Sequence, residues 1–428
     1  MNILKAFACS AALALPALAM AVHPRQYPDT FLIPERAIIL TGNRANAERL
    51  VAVLYNQEDM HFNEPNCPRF LFLDREGQIA LGIGGYAKVS FQYDVRGSID
   101  EGANFIPYNI PVPNRADQNS AFYANANHSS IFLQLVGSHE KIGTYQVYLL
   151  GDFTGNGYKG YGFRLKQAYM SAGFFTVGLA NSTMMDASVG TPGIDNIGPS
   201  GETFRRNVLA RFNPHFGSNW SAAISIENPP VSLTTDEYTK EISQRCPDIP
   251  AYVQYAWEGG KSHVRLSGLF RSLSYRNLVA EKNRSVIGWA AQLSGKFYVA
   301  PGWSLLYQGS YGRGYGSYTN DMATGLDLVH TEGGAMEAPR QYAFEVGTTF
   351  NLTKDIFLAG AYSKTRVLGT NYLGPDAYRG SDYISATAFY NIIPDMQIAL
   401  GYLHGVRTDF NSERGRANRI AAMLKYSF

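Results

Sequence analysis

Apolar and polar side chains alternate along most of the chain from Gln78 onward, with a period of two residues. In the first such segment, one face carries Ile83, Ala87, Val89, Phe91 and Tyr93, and the other carries Tyr86, Lys88, Ser90, Gln92 and Asp94. This period is typical of a β-strand with one apolar and one polar face. The pattern recurs to the C-terminus and predicts about 16 strands, an even number typical of bacterial membrane barrels.

The connections between the predicted strands alternate in length. Short ones include Glu258–Lys261, Pro301–Gly302 and Ile393–Asp395, and long ones include Arg96–His128, Asn277–Arg284, Gly314–Arg340 and Asp409–Ala417. Short turns of membrane barrels face the periplasm and long loops face outside. We therefore expect both ends of the barrel on the periplasmic side. The alternative, a soluble sandwich, gives no reason for this alternation.

The C-terminal strand is amphipathic to its last residue. Ile420, Ala422, Leu424, Tyr426 and Phe428 share one face, opposite Arg419, Lys425 and their neighbours. A closed barrel needs such a strand, since its last strand pairs with the first and presents an apolar face to lipid. The predicted fold is an all-β transmembrane antiparallel barrel, wide enough for water inside.

The N-terminal part of the chain differs from this pattern. Residues 1–21 have the Lys5 charge, a short apolar run and small residues before Ala19 and Ala21, which predicts a secretory signal peptide cleaved after one of these two alanines. Residues 22–77 form a separate segment before the barrel, residues 78–428. Asn43–Gln57 has helical spacing and predicts a short helix, periplasmic or luminal. The helix is either a plug or trimer-packing element, or a satellite covering the barrel base.

Composition narrows the function classes. Aromatic residues make up 13% and charged residues 17% of the chain, which fits a membrane barrel with aromatic girdles. The 37 basic residues, of which Lys5 belongs to the signal, nearly balance 35 acidic ones, so nucleic acid is not an expected partner. Cys67 and Cys246 form an even pair in an oxidising compartment. Their predicted positions at opposite ends of the barrel disfavour a disulfide.

The candidate site is a narrowing of the lumen. The segment Met185–Phe204 is rich in Gly and Pro and carries Asp186, Asp195 and Glu202, and we expect it to fold inward. By alternation, the inward-facing basic residues are Lys88, Arg164, Lys166, Arg205, Arg211, Arg265, Arg271, Arg407, Arg419 and Lys425, against Asp94, Asp152 and Glu345. As a group they favour weak anion selectivity. The alternative for each single residue is that it only hydrates the lumen and pairs with acidic residues of the loops.

Catalytic patterns are weak. The eight His residues have no zinc spacing, and no Gly-x-Ser-x-Gly motif occurs. The pair His128–Ser129 is better interpreted as loop. We predict no enzyme activity, no cofactor and no metal.

Several motifs resemble the DcaP-like family of trimeric outer-membrane porins, which are associated with dicarboxylic acids. The motifs are Gly84–Lys88, Phe163–Tyr169, Asn181–Asp186, Gly198–Gly201 and Glu227–Pro229. The resemblance implies a 16-stranded barrel in the outer membrane of a Gram-negative bacterium, a third loop inside the lumen, and a homotrimer. It also implies Arg164, Lys166 and Arg205 as wall candidates, and Asp186 and Asp195 as loop candidates. The segment before Gly82 departs from the family, because its short helix and its Pro65 and Pro68 argue against a long coiled coil.

Two functions follow. The first is a passive porin in outer-membrane lipid for small anionic solutes such as dicarboxylates. The second is a structural or surface-interaction barrel whose lumen is closed by loops.

Overall fold

The computed structural model describes residues 38–39, 44–55, 60–65, 67–74, 78–99, 104–114, 120–157, 160–322, 325–369 and 372–428. The predicted signal peptide, residues 1–21, lies outside these ranges, as does the predicted helix cap Asn43. No helix in the described ranges is long and apolar enough to cross a membrane.

Sixteen antiparallel strands form a closed wall, which confirms the predicted fold. Each pairs with its neighbours in chain order, as the alternation of turns and loops requires. The strands are β1 Ile79–Val95, β2 Ser130–His139, β3 Gly143–Asp152, β4 Arg164–Ala172, β5 Phe175–Asn181, β6 Arg206–Phe212, β7 Trp220–Glu227, β8 Ile249–Trp257, β9 Ser262–Asn277, β10 Lys282–Ala300, β11 Trp303–Arg313, β12 Arg340–Asn351, β13 Ile356–Leu368, β14 Tyr378–Ile393, β15 Met396–Asp409 and β16 Arg414–Ser427.

The barrel closes where β16 pairs with β1, from Asn418 opposite Val95 to Ser427 opposite Tyr86. The terminal Phe428 and Gly85 exchange two backbone hydrogen bonds of 2.8 and 2.9 Å. Every strand edge in the wall is therefore paired, which a barrel in hydrocarbon requires.

The predicted faces are confirmed. On the outside, Leu266, Leu400 and Leu424 are exposed, whereas their chain neighbours Arg265 and Met423 are buried inside. One apolar and one polar face per strand places hydrocarbon outside and polar groups within.

Two predicted long loops are wrong. Asn277 pairs with Lys282, and Thr408 pairs with Arg414, so Asn277–Arg284 and Asp409–Ala417 are tight turns at the ends of long strands. The ladder continues past the apolar band, where the outward side chains, such as Ser274 and Arg416, are polar and the alternation no longer marks a strand.

Shorter elements supplement the sixteen long strands, and some of them pair with the wall. The strands are Ile38–Ile39, Phe70–Leu73, Ser120–Asn125, His215–Phe216, Leu233–Thr234, Thr239–Glu241, Leu328–His330 and Met336–Glu337, and the 3-10 turns are Pro107–Asn109, Ala187–Val189, Gly316–Tyr318 and Glu332–Gly334. In the part of the chain that the structure describes, one α-helix, α1, spans Arg44–Tyr55.

Helix α1 lies inside the barrel, at the end with the short turns. Its Leu50 and Leu54 pack in one cluster with Ala80 and Val136, whose side chains face inward from β1 and β2. The strand Phe70–Leu73 then pairs with the start of β1, from Phe70 opposite Ile83 to Leu73 opposite Ala80. It thus covers the part of the β1 edge that β16 does not reach. Of the two predicted locations for the helix, the structure has the luminal one.

Candidate functional site

Residues 182–205, hereafter the inner loop, connect β5 to β6 and fold into the lumen. The first anchor is Asp186, whose Oδ2 lies 2.9 Å from His263 Nε2 and accepts a hydrogen bond of 2.6 Å from Ser294. Arg265 Nε lies 3.8 Å from the same oxygen. These partners belong to β9 and β10, which begin three strands beyond β6 along the wall.

The inner loop continues along the far wall. Thr191 Oγ1 donates a 2.6 Å hydrogen bond to Glu345 of β12, and Ser200 meets Ser363 of β13 at 3.0 Å. Ile194 packs in a cluster with inward residues of β13 to β16. Met185–Phe204 therefore folds into the lumen, as predicted.

One glycine of the wall makes room for this loop. A Cβ on Gly347 of β12 would collide with Thr191 Oγ1. The wall position that faces the loop at its closest approach is thus one without a side chain.

A second segment, residues 104–114, also turns inward at the long-loop end. Phe105 and Ile110 pack with Tyr383 and Leu403 of the wall, and the Phe105 N–H donates to Asp195 of the inner loop at 3.3 Å. The two infolded segments therefore support each other above β14 to β16.

Six predicted site residues are buried, with 3% exposure or less: Lys88, Arg265, Arg271, Arg419, Asp186 and Asp195. Arg419 Nε donates to Asp94 at 2.6 Å across the barrel seam. Arg271 contacts Asp248 and Asp327 of two different loops, each at 2.9 Å. In this conformation these six residues hold strands and loops together.

The other five predicted residues keep water-accessible surface: Arg164, Lys166, Arg205, Arg211 and Arg407. Arg164 and Lys166 share Asp152, at 2.7 and 3.7 Å. Arg407 contacts Asp409 at 2.8 Å and donates to the carbonyl of Tyr108. Arg211 donates to Thr183 at 2.7 Å.

Sequence reasoning missed one polar group in the lumen. Glu64 of the N-terminal segment is buried against Arg206, with Gln167 and Asn181 completing the contact. Alternation from Val208, which is 58% exposed on the outer face, places Arg206 outside. Its guanidinium nevertheless reaches Glu64 because Arg206 stands at the first position of β6, where the strand begins.

The inner loop and the N-terminal segment also meet through His61 and Glu202. His61 Nε2 and Glu202 Oε1 lie 3.1 Å apart without hydrogen-bond alignment. Burial raises the pKa of Glu202 well above its usual range and lowers the pKa of His61 to about 3. Burial thus disfavours the charged form of both side chains.

Asp186 has the opposite character. Although its burial acts to raise the pKa, the charge of Arg265 and the hydrogen bond with His263 hold the pKa of Asp186 well below its usual range. The first anchor of the inner loop is therefore a charged carboxylate.

Within the described ranges, no group of His, Cys, Asp and Glu has the arrangement of a metal site. Cys67 and Cys246 are both exposed and unpaired. What the lumen offers is charge and hydrogen bonds along its wall.

Comparison with known proteins agrees with this geometry. A sequence model described as the Porin subfamily matches residues 81–421. Comparison with curated protein sequences gives no match.

Solved structures share the fold. The outer membrane channel DcaP of Acinetobacter baumannii has a TM-score of 0.72 at 19% identity, covering 83% of this chain and 99% of its own. The anion-selective porin from Comamonas acidovorans has a TM-score of 0.52 at 9% identity, covering 82% and 100%. The trimer form of OmpT from Vibrio cholerae has a TM-score of 0.50 at 9% identity, covering 82% and 100%. At these identities the likeness shows the fold alone.

Proposed function

This chain belongs to the Porin subfamily and is an outer-membrane porin, and we propose that it is a passive diffusion channel for small hydrophilic solutes with a preference for anions such as dicarboxylates. A passive channel needs a polar lumen and a fixed narrowing. The infolded inner loop is the narrowing, and the polar faces of the strands supply the lumen.

One observation carries the anion preference. Three basic residues of the lumen have neutral partners: Lys88 donates to the carbonyl of Ile194 and the amide of Asn196, Arg205 donates to Asn207, and Lys425 lies over the Tyr86 ring. Lys88 and Lys425 are also directly opposite each other across the seam. Among the described residues no carboxylate is in direct contact with these three cations, and positive charge of this kind raises the local concentration of anions.

The assembly we propose is a homotrimer with the short turns in the periplasm. Strands β5, β6 and β7 have 7, 7 and 8 residues, fewer than the about 9–11 that span a bilayer core. Their outer faces are nevertheless apolar, with Val177, Val208 and Ile226 exposed. A neighbouring subunit would cover these three strands, hereafter the short arc. The trimer form recorded for OmpT supports that arrangement.

A second function has its own support. The inner loop, residues 104–114 and the N-terminal segment all occupy the lumen, which favours a structural barrel that conducts little.

Swelling of liposomes separates the two functions. Liposomes that contain the purified protein should swell in isosmotic arabinose, and faster in succinate than in a cationic solute of similar size. Empty liposomes and liposomes with heat-unfolded protein are the controls. Absence of swelling in every solute would favour the closed structural barrel.

A further inference from the structure

We infer that Arg206, Gln167 and Asn181 form a carboxylate-binding site in the lumen, that Glu64 occupies it in this conformation, and that a carboxylate of a permeating solute binds there when Glu64 withdraws. The inference rests on the proposed function for its solute class.

The donors come from three neighbouring wall strands and converge on one carboxylate. Arg206 and Gln167 donate to Glu64 Oε1 at 2.9 and 2.6 Å, and Asn181 Nδ2 donates to it at 3.3 Å. A guanidinium with two amides is a donor set suited to a carboxylate, since all of its N–H groups donate. The site belongs to the barrel wall, whereas its occupant belongs to the N-terminal segment.

Glu64 uses the site incompletely. Asn181 Nδ2 and the backbone N–H of His61, which belongs to the same N-terminal segment, each donate to Glu64 Oε2 at 3.4 Å. The Arg206 Nε is buried and makes no hydrogen bond to a described residue. A guanidinium binds a carboxylate best through two parallel N–H donors, and here one of them is unused. A free carboxylate, which no chain restrains, is able to align with both.

The site is held in place without Glu64. Arg206 lies over the Phe204 ring at 4.6 Å, and Gln167 Nε2 also donates to Asn181 Oδ1 at 3.3 Å. About 15% of the Arg206 side chain is exposed, so the guanidinium is not fully enclosed by Glu64 and its neighbours. These supports keep the donors oriented when the occupant changes.

The N-terminal segment is attached to the same lumen by neutral contacts. The Tyr86 hydroxyl donates to the Asn63 carbonyl at 2.8 Å, and the Tyr148 hydroxyl donates to the Pro65 carbonyl at 3.4 Å. Two ion pairs add to them: Arg69 with Asp395 in the turn between β14 and β15, at 3.2 Å, and Glu64 with Arg206 of β6, at 2.9 Å. A competing carboxylate therefore acts on the ionic link of the segment to β6.

Chemical rescue tests the inference. The full-length Glu64→Ala protein in detergent lacks the carboxylate but keeps the three donors, and thermal unfolding is followed while sodium acetate or succinate replaces sodium chloride at constant ionic strength. We expect a saturable rise in unfolding temperature for Glu64→Ala, because a ligand that binds the folded state stabilises it. Wild type and Glu64→Gln, whose side chains fill the site, should show no saturable rise. Glu64→Ala/Arg206→Gln should need about tenfold more acetate or higher.

A control variant and a second measurement complete the experiment. Glu140→Ala, in an exposed turn, controls for the loss of a carboxylate elsewhere. If Glu64→Ala does not fold in chloride, the same titration is made on refolding yield, which acetate should restore. An equal response of all variants to acetate, or none in Glu64→Ala, would show that Glu64 is only a structural strut. Because unfolding does not depend on conduction, this outcome is separable from a failure to conduct.

Discussion

At the scale of single residues, the lumen contains two kinds of charge. Arg419 with Asp94 and Arg271 with Asp248 and Asp327 are buried pairs, and each joins parts of the chain far apart in sequence. Lys88, Arg205 and Lys425 have neutral partners instead. The first kind contributes to the architecture. We expect the second kind to attract anions, and Lys88 has both roles because it also holds the inner loop.

The Arg419–Asp94 pair stabilises the seam of the barrel. Arg419→Met leaves Asp94 charged and buried, so we expect a loss of about 3–5 kcal/mol in the free energy of unfolding. Urea unfolding in lipid vesicles measures it. The double variant Asp94→Asn/Arg419→Met should lose less than Arg419→Met alone, since no unpaired charge remains. Arg414→Met, exposed on the same strand, is the control, and an equal loss there would contradict the prediction.

His61 makes stability depend on pH. Its pKa is about 3 in the folded protein and 6.5 in the unfolded chain, so below pH 6.5 the unfolded chain binds a proton that the folded protein does not. Stability present above pH 6.5 is therefore lost as the pH falls toward 3. The stability advantage of wild type over His61→Gln should shrink between pH 7.5 and 5.0 in urea unfolding. A difference independent of pH would refute this.

At the scale of elements, the wall is uneven. Strands β9 and β10 have 16 and 19 residues, whereas β5 and β6 have 7 each. The inner loop leaves from the short arc and is anchored on β9, β10, β12 and β13. The loop thus starts and ends at short strands, and its anchors include the long strands β9 and β10.

The short arc predicts where subunits meet. Val208→Arg puts a charge on the exposed outer face of β6, and we expect it to reduce the trimer fraction in native gels and in crosslinking. Leu400 is similarly exposed on β15. Leu400→Arg should leave the trimer fraction unchanged, although both substitutions place a charge on the outer face. Equal trimer fractions in the two variants would place the interface elsewhere.

The elements of the wall were predictable because alternation is a local property. Each strand whose two faces meet hydrocarbon and water shows it, from β1 to β16. The pattern is lost where a strand extends beyond the apolar band, as at Asn277–Lys282 and Thr408–Arg414, and there the predicted loops were wrong.

The candidate site was less predictable. Alternation identifies an inward residue but not its depth, so buried Arg271 and accessible Arg164 look alike in sequence. Arg206 was missed because it begins its strand, and Glu64 because no periodicity connects the N-terminal segment to the wall. Contacts between loops and wall depend on the closed fold.

At the scale of the whole molecule, the chain is a closed cylinder that is filled in part by its own segments. Helix α1 enters at the short-turn end, and residues 104–114 enter at the other. The inner loop lies between them. In the proposed channel, the charged wall residues beside these segments would decide which solutes pass.

The reversal potential of single channels in a planar bilayer, under a KCl gradient, tests the proposed anion preference. We expect ohmic conductance and a reversal potential whose sign shows chloride to be more permeant than potassium. The preference should weaken in the Lys88→Gln/Lys425→Gln variant, which removes two of the cations with neutral partners. A reversal potential of the potassium-preferring sign, or the absence of conductance from correctly inserted protein, would contradict it.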